Sequence, residues 1–204
     1  MADHRSALLP EELPSIARAV ERRVHEFSTG RLLARRAMAM LGLQAAPIPR
    51  AADRAPVWPA SCQGSITHAG GHVLAAVTRR EALRGLGVDV EEAHRVTSEL
   101  HAKLFTPTER GRHLNPSPGA TATRRAALLF SAKEAVYKAV HPLVGVFIGF
   151  QEVEVTVAGD IDAPAGEFSL RYVGTHAPNR IMETGLGFFC SVDARYVLTA
   201  FVIP

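Results

Sequence analysis

The 204-residue sequence is short of cysteine, with only Cys62 and Cys190. A lone pair without an export signal reads as two free thiols, since disulfide frameworks belong to exported chains. The opening stretch MADHRSALLPEELP lacks the apolar core of a signal peptide, and no apolar run approaches the length of a membrane span. A cytoplasmic chain with no membrane partner is therefore expected. No cluster of Cys and His has zinc-ligand spacing, no nucleic-acid module is visible, and no short-period repeat recurs. Charge of either sign is in small excess at most: 23 Lys and Arg oppose 20 Asp and Glu, for a net +3. The arginines come in scattered pairs, Arg22-Arg23, Arg35-Arg36, Arg79-Arg80 and Arg124-Arg125. That scatter suits an anionic ligand or an acidic partner protein better than duplex DNA, which attracts a denser basic stripe.

What is present is an ordinary globular composition, 47% hydrophobic and 21% charged, in a chain long enough for one core or two small ones. Leu13, Ile16, Ala17, Val20 and Val24 have the spacing of an amphipathic helix over residues 11–26. A second helix is expected from Ser28 to Leu41, with Gly42 as its C-cap. Arg31 and Arg35, four apart, fall on its exposed side, either as a solvated basic face or as an anion contact. Residues 44–59 read as a Pro- and Ala-rich loop containing DRAPVWP, followed by two strands about a Gly70-Gly71 turn. A boundary between halves falls near Arg84, giving residues 1–84 and 85–204. TPTER offers a helix start with Thr106 as cap, Pro107 in the first turn and Glu109 at the capping-box position. NPSPG, residues 115–119, breaks the chain before a long helix from Ala122 to Val140, closed by His141-Pro142. Strands are expected at Val153–Val157, Glu167–Val173, Gly187–Val192 and Tyr196–Val202. The sum is an α+β fold whose halves each set helices on a mostly antiparallel sheet.

Two motifs carry the chemistry. GVDVE, Gly87 to Glu91, reads as a strand with Asp89 and Glu91 on one face and Val88 and Val90 turned into the core. FSAKEAVYKAV, Phe130 to Val140, supplies Ser131, Lys133, Glu134 and Lys138. Ser131 and Glu134 have capping-box spacing, but their place inside a long helix leaves Glu134 freer for a ligand. Taken singly, each motif also fits a plainer role: Glu134 paired with Lys138 on the helix, and the strand acids as a solvated face. Taken together, three carboxylates suit a hard cation and two lysines suit phosphate oxygens. The combination points to a metal-assisted reaction on a phosphate ester.

G-x-D-x-E followed by F-S-x-K-E-x-x-x-K resembles the paired signatures of the 4′-phosphopantetheinyl transferases. R-x-P-x-W-P (Arg54 to Pro59), the segment Ser65 to His68, and the arginine helix GRLLARRAMAMLG extend the likeness over about Phe27 to Phe150. It is most similar to the larger monomeric class, in the branch typified by the enterobactin synthetase component D proteins. One position departs: Ser61 stands where relatives commonly have the glycine of W-P-x-G. The resemblance implies a monomeric pseudo-dimer of two similar halves, with the active site between them. It implies Mg²⁺, or Mn²⁺, held by Asp89, Glu91 and Glu134, with Glu134 as base and Lys138 steadying the leaving oxygen. Coenzyme A contacts are implied for Arg31, Arg35, Arg54, Thr67, His68, Lys133 and Lys138. The implied reaction moves 4′-phosphopantetheine from coenzyme A to a serine of an acidic acyl or peptidyl carrier protein, releasing adenosine 3′,5′-bisphosphate. Such carriers serve siderophore, polyketide or nonribosomal peptide synthesis. A Mg²⁺-dependent phosphatase or nuclease would use the same acids, yet it leaves the SITH and WP segments unexplained. A non-catalytic module binding nucleotides or carrier proteins would not need the complete set of acids and lysines.

Overall fold

Pro14 decides how the chain begins. A proline inside an α-helix removes a hydrogen bond and clashes with the preceding turn. In the computed structural model, which describes residues 3–115, 120–175, 180–193 and 195–204, the segment Pro10–Ile16 is accordingly a short 3₁₀ helix. Val20 then takes an extended conformation, and a single helix, α1, runs Glu21–Met40. The two helices expected over 11–41 are thus one helix with a 3₁₀ approach. Gly30 sits mid-helix, where an added Cβ would come 2.8 Å from the Ile66 side chain. Gly42 ends α1 at φ 69°. Leu43 N–H donates to Met38 O at 3.0 Å and Gly42 N–H to Ala39 O at 2.9 Å, which satisfies the last carbonyls in a Schellman pattern.

The chain divides into two compact units, Met1–Leu83 and Arg84–Pro204. In the first, β1 (Cys62–Ala69) pairs antiparallel with β2 (His72–Arg79). Gly70 and Gly71 both have positive φ, as a two-residue hairpin turn requires. Ala34, Met38, Ile48 and Cys62 form the core of this unit, with Trp58 packed against them. Among the described residues only Arg54 is a non-glycine at positive φ, so Ser61 occupies its turn without needing a glycine's freedom.

The second unit contains β3 (Gly85–Glu92), α2 (Ser98–Leu104), α3 (Pro107–Glu109) with a wide turn over Arg110–Leu114, and α4 (Ala120–Val144). It continues with β4 (Val153–Val157), β5 (Ala165–Tyr172), β6 (Leu186–Ser191) and β7 (Tyr196–Ile203). The strands form one antiparallel sheet in the order β3-β7-β6-β5-β4. Helix and antiparallel sheet are therefore mixed as expected, with two strands in the first unit and five in the second. The α3 cap forms as read: Glu109 N–H donates to Thr106 Oγ1 at 3.3 Å, and Thr106 N–H donates to Glu109 Oε2 at 2.8 Å. Of the expected NPSPG break, residues 116–119 lie outside the described residues. α4 runs on past His141-Pro142 to Val144. Ala132, Ala135 and Val136 of α4 share a core with Phe168, Phe189, Phe201 and Ile203 of the sheet. No helix among the described residues is long and apolar enough to cross a membrane.

Candidate active site

The register of β3 on β7 fixes which face carries the acids. Gly85 lies opposite Ile203, Gly87 opposite Phe201 and Asp89 opposite Thr199. Directly opposed residues share a face, and Phe201 and Ile203 belong to the core that α4 covers. Asp89 therefore lies under α4 and is only 3% exposed; it is no solvated strand face. Val88 and Val90, expected to turn into that core, are buried on the opposite face of β3 instead. The physical reason is the pair of glycines preceding Asp89 on its own face. A Cβ at Gly87 would collide with the Ala135 carbonyl and stand 2.9 Å from Ala139 N; one at Gly85 would stand 2.7 Å from Ala139 O. Because neither side chain exists, the backbone of α4 rests directly on β3.

That contact places the α4 side chains. Ser131, expected by spacing to suit a cap, is deep inside the helix, with its Oγ 2.8 Å from Thr199 Oγ1. It pins α4 to β7 beside Asp89. Lys138 Nζ donates to Asp89 Oδ1 at 2.6 Å and to Val88 O at 3.2 Å. Glu134 and Glu91 are half-buried. Burial pushes the Glu91 carboxyl up to about 7; Asp89 and Glu134 push it further, while Arg95 and Lys138 oppose them. Burial also raises Glu134, against the pull of Lys138 and with a push from Asp89. The three carboxylates thus share one electrostatic neighbourhood and repel one another. They are not drawn into a ligating cluster: no group of three or more His, Cys, Asp or Glu is arranged to hold a metal among the described residues. The cation present at Asp89 is the Lys138 ammonium.

Beside Glu134 lies a cavity of about 160 Å³ walled by Tyr137, Phe147, Ile148, Phe150 and Val153. Lys133, expected to contact a ligand, is used differently. Its ammonium donates to Glu109 Oε2 at 2.7 Å, Phe150 O at 2.7 Å and Leu104 O at 3.0 Å. An ammonium has three protons, so all its donors are engaged inside the protein.

The family described as "4'-phosphopantetheinyl transferase superfamily" matches residues 85–198, and "4'-phosphopantetheinyl transferase N-terminal domain" matches residues 10–78. The chain belongs to the 4′-phosphopantetheinyl transferase superfamily. It is 37% identical over 197 residues to "4'-phosphopantetheinyl transferase PptT" of Mycobacterium tuberculosis, covering 96% of this chain and 86% of that protein. It is 39% identical over 166 residues to "4'-phosphopantetheinyl transferase Svp" of Streptomyces mobaraensis, covering 81% and 66%. With "Enterobactin synthase component D" of Escherichia coli K12 the identity is 36% over 123 residues, covering 59% and 56%.

In the first unit of this transferase, the residues singled out from sequence fall into two groups. Arg31 and Arg35 are not on an exposed face. Both are buried, Arg31 Nε donating to Ile48 O at 2.8 Å with its guanidinium 4.0 Å from the Phe27 ring centre. Burial brings Arg31 down to about 10, with Glu12 opposing the fall. Arg35 pairs with the fully buried Glu12 at 2.6 Å and donates to the Ala7 carbonyl. Ile48 N–H also donates to Glu12 at 2.8 Å. These arginines tie the 3₁₀ segment and the 48 loop to α1. Arg54 is exposed, on its positive-φ turn, and Thr67 is buried in β1. His68 Nε2 lies 2.6 Å from Arg23 Nη1, and its Nδ1 lies 3.4 Å from Glu26 Oε2. Glu26 was not named from sequence and Arg23 only within the scattered arginine pairs, although their i,i+3 spacing puts both on one face of α1. In the second unit the unflagged residues are Tyr137 and Phe147. Phe147 is 76% exposed, and its only signal was an apolar run, VGVFIGF, between glycines.

The raised Glu91 gives this transferase a testable pH signature. A carboxyl that holds its proton more tightly when folded favours the fold at low pH, and that contribution is lost as pH rises through about 7. Glu91→Gln cannot ionise. In metal-free buffer it is expected to melt with the unaltered protein at about pH 4, below the ordinary carboxyl range, and above it at about pH 8. A constant difference in melting temperature between these limits would dissociate Glu91 from the acidic cluster.

Proposed function

We propose that this transferase moves 4′-phosphopantetheine from coenzyme A to a serine hydroxyl of an acyl or peptidyl carrier protein, releasing adenosine 3′,5′-bisphosphate. The observation that carries the reading is three mutually repelling carboxylates and Lys138, gathered where α4 rests on β3, beside a cavity with apolar walls. Oxygen donors in mutual repulsion are the donor chemistry that Mg²⁺, or Mn²⁺, relieves. Asp89, Glu91 and Glu134 would hold it. When bound, it supplies charge neutralisation and Lewis acidity to the pyrophosphate. Lys138 steadies the charge that builds on the leaving oxygen. Glu134 takes the proton of the carrier serine, directly or through a water, as that oxygen forms its bond to phosphorus and the bond to adenosine bisphosphate breaks. Burial raises the affinity of Glu134 for that proton.

The cavity beside Glu134 takes the pantetheine arm, and Arg54, Thr67 and His68 hold the phosphates and adenosine. Arg31 and Arg35, buried in their network, support that surface through α1. The carrier is acidic around its modified serine, so its KM should rise with salt as charges are screened over about 8–10 Å. A flat KM between low and high salt would assign the docking to apolar contact.

The decisive experiment incubates the protein with coenzyme A, Mg²⁺ and several apo carrier proteins, followed by intact mass. One added phosphopantetheinyl group on the serine is expected. Hydrolysis of simple phosphate esters without carrier modification would favour a phosphatase instead. Asp89→Asn, which keeps an acceptor for Lys138, should abolish transfer and also the rise in melting temperature that Mg²⁺ gives the unaltered protein above pH 7. Near-normal transfer by Asp89→Asn would remove Asp89 from the metal site.

A further inference from the structure

We infer that Glu109 is a positioning residue of this transferase: acting through Lys133, it holds the Phe150 wall of the cavity against the turn of α4 that carries Glu134. The inference rests on the reading that this cavity receives the group being transferred.

Glu109 and Lys133 are both almost fully buried, with side chains 2% exposed on each side of their 2.7 Å contact. Each does more than pair with the other. Glu109 Oε1 accepts Val155 N–H at 2.8 Å, and Oε2 accepts Thr106 N–H at 2.8 Å. The carboxylate thereby joins the start of α3 to β4, the edge strand of the sheet, two residues beyond the cavity residue Val153. Lys133 adds the Leu104 carbonyl at the end of α2 and the Phe150 carbonyl in the cavity wall. Phe150 is held a second time by its ring, 5.4 Å from that of Phe130. The preceding Gly149 N–H is held by Glu152 Oε2 at 2.7 Å, and Tyr172 OH donates to Glu152 Oε1 at 3.1 Å. The cavity wall is thus fixed at consecutive residues; ring contacts from Phe130 and Tyr137 also join it to α4, and its hydrogen bond to α4 comes from the Lys133 ammonium.

A lysine that met phosphate directly would need a proton to give. All three of these are given to protein oxygens, one of them the Phe150 carbonyl of the cavity wall. Lys133 therefore sets the distance between Glu134 and the wall opposite, and Glu109 holds the ammonium aimed.

The test compares Glu109→Gln, Lys133→Met and the double variant. Each single change strands one buried charge and is expected to melt low; removing both charges together should restore much of the melting temperature. Transfer should not return with it. A wall displaced by about an ångström costs on the order of 10²-fold in turnover, so kcat of the double variant should stay low by about that factor while KM for coenzyme A stays near that of the unaltered protein. Hydrogen exchange should quicken in the peptide covering residues 145–153, a readout independent of activity. The inference is overturned if turnover recovers together with melting temperature, as a purely structural pair would have it. It is also overturned if exchange over residues 145–153 is unchanged. A KM for coenzyme A that rises in both Lys133 variants but not in Glu109→Gln would make Lys133 a direct ligand. Absence of transfer by the unaltered protein would instead defeat the proposed function, and the exchange measurement would still decide whether the brace exists.

Discussion

Glu134→Gln should slow transfer by about 10²–10⁴-fold, the range for loss of a general base, while coenzyme A affinity falls far less. Glutamine keeps the size of the side chain and one acceptor oxygen but removes charge and basicity. Phosphate contacts elsewhere are untouched, so binding and chemistry should separate in single-turnover rates measured beside affinity. Stability supplies a second, opposite sign. The Glu134 carboxyl is raised by burial and by Asp89, against Lys138, so its ionised form works against the fold. The glutamine variant should therefore melt at or above the unaltered protein. A residue kept only to start a helix would behave otherwise, and α4 starts at Ala120, well before it. Transfer by Glu134→Gln close to the normal rate would sink the catalytic assignment.

Gly87→Ala should be the most damaging single-methyl change in the second unit. The added carbon would meet the Ala135 carbonyl and lie 2.8 Å from Ala135 C and 2.9 Å from Ala139 N. These are helix backbone atoms, which cannot rotate away as a side chain can. Overpacking typically costs about 1–3 kcal/mol, occasionally more, and an obstacle made of backbone argues for the upper end or beyond. α4 must lift from β3, separating Lys138 from Asp89, so transfer should fall even where the variant still folds. Gly111→Ala is the control: nothing lies within 4 Å of its added carbon, and replacing glycine in a helical turn typically gains about 0.5–1 kcal/mol. Equal denaturation midpoints for the two variants would contradict the close approach of α4 to β3.

Those glycines also show what a linear reading can and cannot extract. Alternation placed Asp89 and Glu91 on one face correctly, because period two is a property of the strand itself. It could not say which face met the helix, since both faces of β3 are buried, and valines suggested the wrong one. Gly87 and Gly85, two and four residues before Asp89 on its own face, were the available signal: a strand face without side chains invites a backbone. The strands after residue 150 were legible because each alternates, and the α3 cap because a capping box is local. Arg31 and Arg35 were misplaced for the reverse reason. Their solvent-like spacing is local, but the buried carboxylate that neutralises Arg35 stands at Glu12, 23 residues earlier. Lys133 is the same case, with Glu109 24 residues before it and Phe150 17 after. Local chemistry can be read in order along a chain; a counter-ion brought in from another segment cannot.

The two thiols carry a practical consequence. Cys62 is fully enclosed in the core of the first unit, and burial pushes its thiol up, whereas Cys190 of the second unit is partly accessible. A maleimide or disulfide reagent should thus meet Cys190 in the native protein and Cys62 only when the first unit opens. The lag between the two modifications, followed by mass, becomes a clock for the opening of one unit alone. Added coenzyme A should slow that clock if the ligand binds the first unit, with no engineered label in the chain.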